Sequence, residues 1–375
     1  MRIVYVVPVL APYAIHRFKE LAKINNVEVH VIVEKATSSD RIGWKFEEIE
    51  GVTTHLIEKN FSHKFVKTNK GGNYTQNEEH IFSFQLRKII KSINPDIVLV
   101  CNSSQLLMLI GFRKYKLGVI VEDTLRANEG RKVINRLIKK FLLKTADFYC
   151  TFSDDSVCFL KKYGITNPII KTSWSIDNKD FTSMTSDEIS KFRVDNTIKN
   201  KSFLIVANLI KLKGIVEFLQ SWKSLPLDIF KNVELLIAGD GPEKENIVNF
   251  IKLNNLNNVR LLGHVDYNNI KKYLQTVDIF ILPTLEDLNP LSVFEALAAK
   301  RPLLVSKFAG NRFLICEGHN GYIYNPYDIQ DTIDKIVKLY NCDLSEFSNE
   351  SARISELYTN KVVMNKFYND LLKIQ

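Results

Sequence analysis

The residues best placed to do chemistry lie in the run Leu285-Glu-Asp-Leu-Asn-Pro-Leu-Ser-Val-Phe-Glu-Ala-Leu-Ala-Ala299, directly after the apolar stretch Ile279-Phe-Ile-Leu282. Asn289 is a good N-cap and Pro290 suits the first helical position, which predicts free amides on Leu291, Ser292 and Val293 at a positive helix end. Such an end binds phosphate or carboxylate groups. Asp287 lies just outside this helix, and Glu295 lies more than a turn inside it on the face of Ser292. One carboxylate can meet a sugar and the other a ribose. Equally, Asp287 can serve only the helix dipole and Glu295 can be a solvated helix residue. The apolar neighbours Val293, Phe294, Ala296 and Leu297 argue against simple surface placement of Glu295.

A second cluster is Ala207-Asn-Leu-Ile-Lys-Leu-Lys-Gly214, which follows the apolar run 203–206 and leads into an amphipathic stretch. Lys213 stands beside a helix start and Gly214 allows close backbone approach, the pattern of a diphosphate clamp. A solvated loop lysine is the competing reading. Gly239-Asp-Gly-Pro242 forms a turn after residues 233–238 and lacks the spacing of a dinucleotide fingerprint. With no G-x-G-x-x-G after a first strand and no G-x-x-x-x-G-K, hydride transfer and P-loop chemistry both lose ground. Near the end of the first apolar run, His16 with Arg17 can position an acceptor phosphate or hydroxyl, or His16 can simply begin a surface helix. The seven histidines form no metal-ligand pattern, so no metal is expected.

Elements that hold such residues recur along the chain. Continuous apolar runs at 3–7, 27–33, 97–100, 119–121 and 148–152 alternate with helical patterns such as 16–24 and 81–93. Apolarity on both faces marks buried parallel strands. The logic repeats at 203–206, 233–238, 259–262, 279–282 and 303–305, after a polar segment without clear periodicity. These patterns predict an α/β chain of two Rossmann-like, doubly wound parallel-sheet domains facing each other across a cleft. The expected division is 1–180, a linker at 181–200, a second domain at 201–355, and a helical tail at 356–375 returning to the first domain.

With these residues in place, the second half resembles the family 4 glycosyltransferases, retaining sugar-nucleotide enzymes of the two-domain GT-B fold. The resemblance runs over about 130 residues, through 207–214, Gly239 to Pro242, Leu262-Gly-His264, 278–284, 287–299 and Glu317-Gly-His-Asn-Gly321. The first half resembles the family more weakly, chiefly at Ala146-Asp147, Ser153, Tyr163-Gly164 and the stretch from Ser175 to Phe181. The resemblance implies a nucleotide diphosphate sugar in the second domain, UDP- or GDP-linked, with Lys213 at the diphosphate, Glu295 at the ribose and Asp287 at the donor sugar. Asn208, Gly241, His264, Asn289, Pro290, Leu291 and Ser292 complete the implied donor contacts. Glu286 competes with Asp287. At Asn208 the family often has Arg, and Lys211 is then the other cation of that loop. Glu122 and Asp123 fall roughly where an acceptor-side histidine is often found, which makes Asp123 and His16 the implied acceptor-side candidates. The implied activity is metal-independent hexosyl transfer with retention to a glycan, often lipid-linked, of the O-antigen, capsule or exopolysaccharide type. A GT-B epimerase or hydrolase and a non-catalytic GT-B subunit are the alternatives.

The charge is lopsided: residues 1–180 hold 28 Lys and Arg against 19 Asp and Glu, and the rest of the chain balances at 23 of each. That excess suits an anionic bilayer, a phosphorylated substrate or nucleic acid, and no recognised nucleic-acid motif supports the last. Residues 131–144 carry six basic side chains, no acidic one, and a stripe of Val133, Ile134, Leu137, Ile138, Phe141 and Leu142. A basic amphipathic helix of this kind suits an anionic membrane surface. The other reading, favoured because the fold needs a helix there, packs the apolar stripe on the first sheet and turns the lysines outward. No apolar stretch approaches the roughly 20 residues that span a bilayer, and the five cysteines form no C-x-x-C pair. These features predict reduced core thiols and a cytoplasmic protein, peripheral at the inner face of the plasma membrane.

Overall fold

In the computed structural model, which describes residues 1–37, 45–57, 61–68, 75–111, 113–128 and 133–374, the continuous apolar runs become the inner strands of two parallel sheets. The chain divides into one unit of Met1–Ser175 with Asn360–Gln375 and a second unit of Ile176–Thr359.

The first unit contains β1 (Arg2–Val7), β2 (Glu28–Val33), β3 (Thr53–Leu56), β4 (Phe61–Thr68), β5 (Thr75–Phe82), β6 (Ile97–Val100), β7 (Lys116–Val121), β8 (Phe148–Thr151) and β9 (Ile169–Lys171). Seven of these form a sheet in the order β3-β2-β1-β6-β7-β8-β9, and β4 and β5 make a separate antiparallel pair. Tyr5 of β1 lies in register between Val31 and Leu99. Helices cover the sheet over a core that includes Val4, Val98, Val119, Tyr149 and Phe159. The final helix, Asn360–Leu372, packs on helix Pro12–Ala22 and on β9, and buries Val363, Met364, Phe367 and Leu371.

The second unit contains β10 (Lys201–Val206), β11 (Val233–Ala238), β12 (Val259–Gly263), β13 (Ile279–Leu282), β14 (Leu303–Ser306) and β15 (Gly321–Tyr324), in the order β12-β11-β10-β13-β14-β15. The strand order reverses between β10 and β13, which opens a crevice at their carboxyl ends where ligands bind in such sheets. The loops leaving β10, β11 and β12 are sewn together by backbone hydrogen bonds. Ala207 N donates to Ala238 O at 3.1 Å, Leu209 N to Asp240 O at 2.9 Å, Glu243 N to Leu209 O at 2.9 Å and Gly239 N to Gly263 O at 2.8 Å.

Several elements differ from the sequence reading, each for a local reason. The first helix begins at Pro12, whose ring suits the opening turn, so His16 lies inside the helix rather than at its start. Ile81 and Phe82 belong to β5, and the next helix starts at Gln85. The polar segment after residue 181 holds a helix, Ser186–Asp195, started by a reciprocal Thr185–Glu188 capping box and burying no residue, so no apolar period announces it. The edge strands β3, β9 and β15 are only 3–4 residues long and carry too little apolar signal to read. All five cysteines are free thiols, but Cys158 and Cys316 are exposed rather than in the core.

Gly239 and Gly263 separate two costs. Both have positive φ, at 152° and 72°, but a Cβ on Gly239 would sit 1.9 Å from Ala207 O whereas one on Gly263 meets nothing within 4 Å. Gly263→Ala is expected to cost about 1 kcal/mol from the left-handed backbone alone. Gly239→Ala should cost at least about 2 kcal/mol, lowering the unfolding midpoint by roughly 5 °C or more. Calorimetric scans of the two variants check this, and equal shifts would remove close approach as the reason for glycine at 239.

Candidate functional site

The reversal point of the second sheet brings together the two strongest sequence signals. After β10, the chain runs through a short 3-10 turn, Lys211–Lys213, and reaches Gly214 at φ 61°. A Cβ at Gly214 would stand 2.2 Å from Pro283 O, so glycine lets this turn press on the loop leaving β13. Leu212 O accepts from Leu285 N at 2.7 Å and from Thr284 Oγ1 at 2.9 Å, which locks the two loops in register. The consequence is an ion pair between Lys213 Nζ and Asp287 Oδ2, with each side chain about one-fifth exposed. The two residues assigned separately to diphosphate and sugar are thus paired with each other in this structure.

Asp287 is held on three further sides. Its other oxygen accepts from Asn289 N at 3.3 Å, its backbone N donates to Phe308 O at 3.4 Å, and its carbonyl accepts from Gly310 N at 2.8 Å. Glu286, the competing acid, is only partly exposed beside it. The helix begins one residue later than the sequence predicts. Pro290, extended at ψ 115°, is the N-cap of helix Leu291–Ala298 and provides no side-chain cap. Asn289 lies one residue before the N-cap, and its backbone N donates to Asp287 instead. Instead, the buried Asn311 side chain donates to Pro290 O at 2.7 Å and pins the helix entry. Val293 N turns back to Pro290 O at 3.4 Å, so the amides without an intrahelical acceptor are those of Leu291 and Ser292.

Glu295 is flanked by buried Val293, Phe294, Ala296 and Leu297 and is not a freely solvated helix residue. Burial pushes its carboxyl up to about 7, against the opposing pull of a hydrogen bond from Tyr267 and the charge of Lys271. Burial and the Glu295 carboxylate in turn raise Tyr267 above its ordinary range. The sequence reading missed Tyr267 and Lys271. Their signal was position, since Tyr267 opens the helix that follows β12, whose carboxyl end lies on the ligand side of the sheet. Asn208 and His264 are exposed in the loops after β10 and β12, and Gly241, at φ 156°, closes on Leu209 O.

The acceptor-side candidates are in the first unit, where Glu122 lies near enough to act electrostatically on Arg17, the neighbour of His16. His16 is exposed on helix Pro12–Ala22. Its neighbour Arg17 points inward, with its guanidinium 4.9 Å from the Trp174 ring and 5.5 Å from that of Phe152, and burial lowers its pKa. Glu122 is exposed after β7. Asp123 accepts from Asn128 at 2.9 Å and pairs with Lys139 at 2.6 Å, which ties its loop to helix Val133–Leu143. The sequence reading also passed over Glu34, at the carboxyl end of β2. It is 2% exposed, accepts from Gln105 Nε2 at 2.9 Å, and burial pushes its carboxyl up to about 7. An acidic residue directly after an apolar strand was the available cue. Among the described residues no three His, Cys, Asp or Glu side chains group closely enough to hold a metal ion.

Residues 187–356 match the family model for glycosyl transferases, group 1. Over 228 residues the chain is 22% identical to an uncharacterised glycosyltransferase of Methanocaldococcus jannaschii, covering 61% of this chain and 60% of that protein. It is 24% identical over 244 residues to the UDP-Gal:α-D-GlcNAc-diphosphoundecaprenol α-1,3-galactosyltransferase of Escherichia coli, covering 63% and 62%. The chain therefore spans less than two thirds of the length of either relative. Among solved structures, Anabaena HepE in complex with UDP and glucose superposes with a TM-score of 0.72 at 14% identity, covering all of both chains. The chain has the GT-B fold that the resemblance implied, and its second unit carries the match to the group 1 glycosyl transferases.

Proposed function

We propose that the protein is a retaining, family 4 type glycosyltransferase that moves one hexosyl group from a nucleotide diphosphate sugar to a lipid-linked glycan. The observation that carries this reading is the meeting of Lys213 and Asp287 at the β10/β13 reversal, beside the unbonded amides of Leu291 and Ser292 and a half-buried Glu295. A cation, a helix start and two carboxylates on one crevice match the parts of a nucleotide diphosphate sugar. The name of the Escherichia coli relative describes a UDP-sugar donor and a diphosphoundecaprenol-linked acceptor, and the Anabaena structure holds UDP and glucose.

In the proposed reaction the diphosphate takes Lys213 Nζ and the amides of Leu291 and Ser292. Asp287, released from its pair, accepts from a hydroxyl of the donor sugar, and Glu295 accepts from the ribose. The bond from the anomeric carbon to the diphosphate oxygen breaks as the acceptor oxygen bonds to the same face, and the acceptor proton passes to the departing phosphate. Charge growing on that leaving group is met by Lys213 and the helix start, which are already in place. No divalent metal is assigned a role. O-antigen, capsule or exopolysaccharide assembly is the proposed setting, with UDP- or GDP-sugar as donor.

Calorimetry with UDP, GDP, ADP and their sugar conjugates is expected to show selective binding of one base. Glu295→Ala should weaken that binding at least about tenfold, and Lys213→Ala should lower turnover by about a hundredfold. Absence of binding by every nucleotide in folded protein would overturn the assignment. Ionised Glu295 is the better acceptor for ribose hydroxyls, so affinity for the sugar conjugate, whose diphosphate does not titrate near neutrality, should rise up to about tenfold from about pH 6 to about pH 8. Glu295→Gln should flatten that profile, and an unchanged slope would remove Glu295 from the ribose contact.

A further inference from the structure

Helix Val133–Leu143 is turned the opposite way from the packing that the sequence favoured. Val133, Ile134, Leu137, Ile138 and Phe141 are 51–66% exposed, and only Leu142 and Leu143 are buried. At 100° per residue the five exposed side chains span about 140° of one face, whereas Leu142, Leu143 and Lys139 point to the other side. Lys139 is held there by Asp123 at 2.6 Å and by the Phe159 ring at 5.2 Å. The unit thus grips this helix by its back and its last turn, and the fold itself leaves the apolar stripe uncovered. Arg136, Lys140 and Lys144 are exposed along one border of the stripe and make no ion pair among the described residues. Arg131 and Lys132, the other two basic residues of this segment, lie outside the described residues.

We propose that this face is a docking surface for an anionic lipid bilayer, with the apolar stripe entering the headgroup and acyl boundary and Arg136, Lys140 and Lys144 bonding lipid phosphates. Branched and aromatic side chains on one face with uncompensated cations on its border are what such a surface binds. A second copy of the chain is disfavoured, because it would bring another uncompensated cationic row to the same seam. No helix among the described residues is long and apolar enough to cross a membrane, so the proposed contact lies in the interface plane. The inference extends the proposed function, since a lipid-linked acceptor is presented at such a surface, but its test does not depend on turnover.

The experiment is co-sedimentation of the full chain with vesicles of phosphatidylcholine alone and with added phosphatidylglycerol, alongside nucleotide-sugar binding by the same preparations. Wild type should partition onto the anionic vesicles and only weakly onto the neutral ones. I134S/L137S/F141S and R136Q/K140Q/K144Q should each lower anionic partitioning at least about tenfold. These positions are exposed, so circular dichroism and donor binding should be unchanged. Wild type that stays in the supernatant with anionic vesicles at low salt overturns the proposal, as does equal partitioning by I134S/L137S/F141S. A wild-type dimer that the same apolar variant dissociates also overturns it, in favour of self-association. Loss of donor binding with vesicle binding intact would strike the donor assignment and leave the docking surface standing.

Discussion

Lys213 and Asp287 come from loops separated by more than 70 residues of chain, and their ion pair sits at the crevice where the second sheet changes strand order. A partly buried pair is worth keeping only if the geometry is held by other bonds, because each charge has lost part of its hydration. Those bonds are the backbone contacts around it: Leu212 O taking two donors, Gly214 against Pro283 O, and Gly310 N on Asp287 O. Removing one partner would leave the other without its counter-charge in a half-buried place. An arriving dianionic group supplies a replacement, so the pair suits a ligand-exchange site as well as a structural one.

The parts of this arrangement that the sequence displayed are those that repeat or stand alone. Fully buried parallel strands are apolar on both faces, which is why residues 233–238 and 279–282 could be bounded to the residue. Lys213, Asp287 and Glu295 were visible because each directly follows, or lies just inside, a turn after such a strand. What stayed hidden was pairing. Nothing in the spacing says that Lys213 and Asp287 point at each other, that Tyr267 reaches Glu295, or that Asn311 rather than Asn289 secures the helix entry. These are properties of loops brought together by a sheet order, and that order is not a local signal.

The helix Val133–Leu143 shows the same limit from the other direction. Its amphipathic pattern was plain, but a pattern gives the width of an apolar face and not what covers it. The decisive facts were three-dimensional: Lys139 turned inward to Asp123 and Phe159, while Leu137 and Phe141 turned outward. The helix Ser186–Asp195 is the converse case. A capping box alone starts it and no buried side chain marks it, so a sequence reader sees only polar chain.

The first unit is assembled from both ends of the described chain, whereas the second is one unbroken stretch, Ile176–Thr359. Val363, Met364, Phe367 and Leu371 must join a sheet whose strands were made more than 180 residues earlier. On a ribosome that delivers the chain from its amino end, the order of completion is therefore reversed from the order of synthesis. The later-made unit has all its residues first, and the earlier-made unit waits with an open apolar face for the last helix to arrive. During that interval the surfaces of helix Pro12–Ala22 and β9 that the final helix covers stay open to solvent.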